Sequence, residues 1–156
     1  MKEGARSFRQ SAAPWAKLRR GADGRVAAWH SLVDHTADVA ACFEAVLACT
    51  RPAGALAALA GRATLPPVWV SRLAVLAAMH DFGKANAGFQ ARWDARAPFI
   101  GHCRQALAAL RDRSLCGAVA EVLPLREIGE WGAGDDGLLV AIGHHGRPLD
   151  ATASSF

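Results

Sequence analysis

The residues with the most chemistry in this sequence are its histidines and one histidine–aspartate pair. His30, His35, His80, His102, His144 and His145 are spread along the chain, and Asp81 follows His80 directly in "VLAAMHDFGKANAGFQ", residues 75–90. Imidazole is the commonest metal ligand near neutral pH. A carboxylate beside a histidine ligand can bridge two ions, one oxygen to each. Such a mixed donor set suits a first-row transition metal such as Mn, Co, Ni or Fe, and suits Mg less well because Mg prefers all-oxygen ligands. Two ions about 3.5–4 Å apart can clamp a phosphodiester and activate a water for in-line attack. The candidate chemistry is phosphodiester hydrolysis with one or two divalent ions.

Taken singly, each histidine also fits a hydrogen-bonded core residue. Their placement argues for convergence. His35 stands four and eight residues before Val39 and Phe43, His80 three and four after Ala77 and Leu76, and His102 four and eight before Ala106 and Leu110. These are helical spacings on apolar faces. His144 and His145 end a further apolar run, and as helix neighbours they point about 100° apart. Several unpaired imidazoles in one small core would each cost desolvation energy, which a shared cation removes. His30 stands outside this pattern and reads as a partly exposed histidine.

The elements that must carry these residues are helices. The spacing predicts a helix from Leu32 to about Cys49, started by Ser31 or Asp34 and ended at Arg51-Pro52. A second runs from Val68 to Asp81, with Gly83 as its stop. Between them lie a short Ala-rich turn and the break at Pro66-Pro67. Residues 85–97 read as loop or short helix, Ile100–Arg111 and Ser114–Leu123 as helices, "GEWGAGDDG" as a loop, and Leu138–His145 as a short last helix. No strand alternation stands out, and the expected class is all-α.

Length and composition set the frame. The chain has 156 residues, enough for one domain, and at 52% hydrophobic it can bury a core. No apolar run reaches the roughly 18 residues of a membrane span, and "MKEGARSFRQ" lacks the apolar stretch of a secretory signal. The expectation is a cytoplasmic protein with no membrane partner. Cys42, Cys49, Cys103 and Cys116 form no CxxC pair and read as reduced core residues. Residues 1–30 hold seven cations against two anions, and the rest of the chain is close to neutral. We therefore divide the chain into a basic N-terminal segment, 1–28, mostly loop, and a main domain, 29–156. The basic segment reads either as a solvated leader or as an electrostatic footprint for nucleic acid. Trp15, Trp29 and Trp93 read as base-stacking platforms or as core anchors.

The ordered set His35, His80-Asp81, His102, His144-His145, with "HSLVDHTADVA", "HDFGKANAGFQ", "GHCRQAL" and "GHHGRP", resembles the HD nuclease domain of the type I CRISPR effector nuclease-helicase, within the HD phosphohydrolase superfamily. The resemblance covers Trp29 to Pro148. It implies an HD-domain helical bundle with a metal site in its core. It implies that His35, His80 and Asp81 hold a first ion, and that Asp81 bridges to a second held by His102, His144 and His145. Lys84 would lie near the scissile phosphate, where positive charge offsets that of the transition state. Phe89 and Gln90 match the family's "FQ" and read as structural.

The implied activity is metal-dependent endonuclease action in CRISPR interference. Single-stranded DNA would be the substrate, and the partners would be the type I surveillance complex and a helicase domain in cis or in trans. The family pattern continues to a late Asp that Asp150, close behind His145, does not match. The chain is thus expected to be C-terminally incomplete relative to the family. Two other readings stand beside the nuclease: an HD nucleotide phosphohydrolase, and a catalytically impaired domain that binds the surveillance complex.

Overall fold

The structure is a computed structural model and describes residues 13–143 and His145. The described chain opens with a two-stranded antiparallel hairpin, β1 Trp15–Arg20 and β2 Val26–Ser31. Eight α-helices follow: α1 Leu32–Cys49, α2 Pro52–Leu59, α3 Pro67–Ala78, α4 Ala87–Ala91, α5 Cys103–Arg111, α6 Arg113–Val122, α7 Leu125–Glu130 and α8 Gly134–Ile142. A 3-10 turn, Met79–Ala85, joins α3 to α4. The all-α expectation holds for the bundle.

The hairpin corrects the reading of the first 28 residues as mostly loop. Its turn is "GADG": the Arg25 amide donates to Asp23 Oδ1 (3.0 Å), and Gly24 takes φ +76°, which glycine adopts at no steric cost. The strand pattern is concealed by a register shift between Trp15 and Lys17, so that Trp15 and Ala16 are both buried in succession. Trp15 is a core anchor, its ring 4.5 Å from that of Phe89. Trp29 is exposed and meets Trp93 edge-to-face at 6.4 Å.

Gln90 locks the hairpin to the bundle. Its Oε1 accepts from the Trp15 amide (3.0 Å), its Nε2 donates to the Trp15 carbonyl (2.9 Å) and to the Lys84 carbonyl (2.7 Å), and its own carbonyl accepts from Trp15 Nε1 (3.2 Å). Arg20 adds bonds to the Arg92 and Trp93 carbonyls. The structural reading of Phe89 and Gln90 acquires a specific content: one side chain fixes both the hairpin and the backbone of Lys84.

Ser31 caps α1, accepting from the Asp34 amide at 3.0 Å. From there Leu32, His35 and Leu47 lie on the buried side of the helix. α1 packs on α3, and α1, α5 and α8 all meet the 3-10 turn. Beneath it Met79, Ile128 and Leu138 form a buried cluster, with Val75, Leu76 and Trp131 around it.

Three further boundaries differ from expectation. The second helix ends at Ala78, and His80 and Asp81 belong to the tighter turn beyond it. The stretch expected as one loop holds the end of α7 and the start of α8, with Gly132 and Gly134 at positive φ turning the chain between them. The last described helix stops at Ile142, short of the expected end at His145. No single described helix is long and apolar enough to cross a membrane.

Candidate metal centre

Asp81 is the hub. It is 2% exposed, and both its oxygens are engaged. Around Oδ2 stand His35 Nε2 at 2.9 Å, His80 Nε2 at 3.0 Å and Lys84 Nζ at 2.5 Å. On the other side, His102 Nε2 lies 2.9 Å from Oδ1. His145 Nε2 is 3.3 Å from His102 Nε2, which extends the array outward.

Four elements supply these groups. His35 comes from the first turn of α1. His80, Asp81 and Lys84 come from the 3-10 turn. His102 occupies the cap position of α5, and His145 follows α8. The turn is held where it is by Asn86, which caps α4 through Oδ1 (2.8 Å from the Phe89 amide) while its Nδ2 donates to the carbonyls of Gly83 and Gly101. Gly83 has no positive φ and does not stop a helix, contrary to the sequence reading. Its place is set by crowding. A Cβ there would overlap the His102 carbonyl oxygen and come within 2.8 Å of the Ala106 Cβ. The bare backbone at Gly83 lets α5 approach, and that approach carries His102 to Asp81.

The donor chemistry fits a divalent cation. A ligand atom from each of His35, His80 and Asp81 lies within 4.8 Å of the other two. His80 Nδ1 stands 2.8 Å from the Ala77 carbonyl, which can only accept, so Nδ1 carries a proton. His80 thereby directs Nε2 at Asp81 Oδ2, 3.0 Å away, so that a cation replacing the Nε2 proton would be shared by the two. Burial lowers the pKa of His35 from its ordinary value and outweighs the opposing pull of Asp81, so the imidazole is held neutral and able to ligate. Burial alone would raise the pKa of Asp81. The bonds from His102, His80 and Lys84 outweigh it and hold the carboxyl far below the usual carboxylate range.

A second group lies outward of the first. One ligand atom each of His102, Cys103 and His145 falls within 4.8 Å of the others. Burial grades across the two groups: His35 and Asp81 are buried, His80 and His102 half-buried, and His145 exposed.

The structure thus brings together His35, His80, Asp81, Lys84, His102 and His145. His144 lies outside the described residues. His30 stays out of the cluster and pairs with Asp38 at 3.4 Å. Cys103, expected as a core cysteine, stands instead among the histidines. A cysteine with no CxxC partner carries no spacing signal, and only its position after His102 could have drawn attention to it. Cys42 and Cys49 are exposed, not core, and the described cysteines are all free thiols. Burial pushes the Cys103 thiol pKa up from its ordinary value.

A cleft of about 400 Å³ opens beside His35 between the hairpin and α1. Lys17, His30, Asp38, Val39 and Phe43 are among its walls.

With this geometry in place, comparison with known proteins is specific. The family described as "Cas3, HD domain" matches residues 15–155. No curated protein and no solved structure gave a significant match.

Proposed function

We propose that this chain, which belongs to the Cas3 HD-domain family, is a metal-dependent endonuclease that cuts single-stranded DNA in CRISPR interference. The family is one of CRISPR-associated HD nucleases, typically metal-dependent hydrolases. The observation that supports the reading for this chain is the position of Asp81, with one carboxylate oxygen toward His35 and His80 and the other toward His102.

In this reading His35, His80 and Asp81 hold one divalent ion, and Asp81, His102, His145 and His144 hold a second. Bound there, the metal supplies a Lewis acid for a phosphoryl oxygen and a nucleophilic water at neutral pH. The chain's own groups do the rest. Asp81 stays ionised at all ordinary pH values and presents charge to both positions. The Ala77 carbonyl fixes the tautomer of His80. Lys84 places an ammonium at the edge of the carboxylate, where it can offset charge growing on a phosphodiester. Since exposure rises from His35 toward His145, a polymeric substrate approaches from the His145 side.

The hairpin contributes Lys17, Arg19, Arg20 and Arg25, and Lys17 lines the cleft beside His35. Backbone phosphates would be held there by charge, with affinity that falls as salt rises. The partners in this reading are single-stranded DNA, the type I surveillance complex, and a helicase domain in cis or in trans, in the cytoplasm.

The direct test incubates the chain with single-stranded DNA and Mn, Co, Ni or Mg beside an Asp81→Ala variant. Internal cleavage by the parent and none by the variant is expected. No cleavage with any metal, or equal cleavage by the variant, removes the proposal. Hydrolysis of nucleoside monophosphates without DNA cleavage would indicate the nucleotide phosphohydrolase instead.

A further inference from the structure

Cys103 is the first residue of α5 and follows His102 directly. Its sulfur belongs to the outer group, where one ligand atom each of His102, Cys103 and His145 lies within 4.8 Å of the others. Asp81 Oδ1 borders the same position, 2.9 Å from His102 Nε2. The outer group therefore holds two imidazole nitrogens and one sulfur, with a carboxylate oxygen beside one of the imidazoles. The start of α5 is well fixed: the His102 carbonyl accepts from the Ala106 amide at 2.8 Å and packs against Gly83.

We propose that Cys103 is a thiolate ligand of the outer metal position and makes that position selective for a thiophilic divalent ion, zinc, cobalt or iron(II), over magnesium and manganese. The inference rests on the reading that Asp81, His102 and His145 hold a metal. Its physical basis is ligand softness. Thiolate and imidazole favour zinc-like ions, whereas carboxylate and water favour magnesium and manganese. Mixed cysteine and histidine donors are of the type that binds zinc. Coordination exchanges the thiol proton for the metal and releases one proton to solvent, with no change of oxidation state. Half-burial leaves Cys103 within reach of an entering ion. No other cysteine belongs to either group of metal-competent side chains among the described residues.

Cobalt(II) reads out the bond directly, because thiolate coordination produces a charge-transfer band in the near ultraviolet. The full-length chain, stripped with chelator, is titrated with cobalt, and bound metal is measured by elemental analysis. The band should grow to saturation, disappear in Cys103→Ser, and persist in a triple Cys42→Ser, Cys49→Ser, Cys116→Ser variant. Cys103→Ala, with circular dichroism to verify folding, serves as the second variant. Zinc affinity in Cys103→Ser should fall at least the roughly tenfold that losing even an outer-sphere partner costs, with manganese affinity little changed. Three results would overturn the proposal: bound cobalt without the band, a band that survives Cys103→Ser, or no cobalt bound. DNA cleavage by the same sample separates the two readings. A band without cleavage keeps the ligand and removes the nuclease, and cleavage without a band does the reverse.

Discussion

Gly83 and His102 are packed backbone to backbone, closely enough that any side chain at position 83 would overlap the His102 carbonyl oxygen. This single contact links the 3-10 turn that carries Asp81 to the helix that carries His102. Gly83→Ala must therefore push α5 away or twist the turn. Overpacking of this kind costs about 1–3 kcal/mol, more where backbone has to move. For a chain of this length, a Tm drop of roughly 5 °C or more is expected. Metal content should fall further than stability, because His102 leaves Asp81. Calorimetry and elemental analysis of the same preparation check both, and an unchanged metal content would show that the contact does not set the site.

Gln90 makes the corresponding link on the other side. Gln90→Ala removes both side-chain bonds to the Trp15 backbone and the bond to the Lys84 carbonyl. With a net value of about 0.5–1.5 kcal/mol per bond, the loss should be about 2–4 kcal/mol and should concentrate in the hairpin. The expected signature is faster proteolysis between Trp15 and Ser31 and a red-shifted tryptophan emission, while α3 and α5 stay protected from hydrogen exchange. Uniform loss of protection across all helices would contradict this division.

The site and the fold differed in how far the sequence revealed them. The stripe of α1 that buries His35 is periodic, so both the helix and its inward histidine could be read from spacing. The hairpin could not, because the register shift at Trp15 breaks the alternation and its basic side chains resemble a solvated leader. Gly83 was recognisable as a special residue, but its reason lies on another helix, where no local rule reaches. The same holds for Asp81: the sequence pairs it with His80, whereas its contact with His102 exists only once α5 has docked. Cys103 was missed because its partners come from two helix ends and not from a cysteine motif.

The pKa of His35 gives the metal-free protein a signed pH dependence. Burial depresses it below the ordinary 6.5, so folding favours the neutral form. That contribution is fully present above pH 6.5 and is lost as pH falls through the lower, folded-state value. The pKa of Asp81 is also depressed, from an ordinary 3.8, and its contribution is lost only under much more acid conditions. Chelator-treated protein should therefore lose Tm as pH falls below the ordinary histidine value of 6.5, with a smaller slope in His35→Gln. Metal affinity should weaken in the same direction, since protons compete for the imidazoles. A Tm that rises on acidification would reverse the sign and refute the assignment.

Lys84 gives the sharpest test, because two measured quantities should move in opposite directions. Its Nζ lies 2.5 Å from Asp81 Oδ2, the oxygen that faces His35 and His80. In the metal-free protein this ammonium competes with a divalent ion for the same carboxylate. Lys84→Met keeps much of the side-chain volume and removes the competitor, so metal should bind more tightly. Turnover of single-stranded DNA should nevertheless fall, by roughly 10²–10³-fold if the ammonium acts on the transition-state charge as an oxyanion-hole donor does. Isothermal titration with Mn or Co, beside single-turnover cleavage at saturating metal, measures the two separately. A parallel loss of metal affinity and cleavage would assign Lys84 to holding the site together, not to the phosphate.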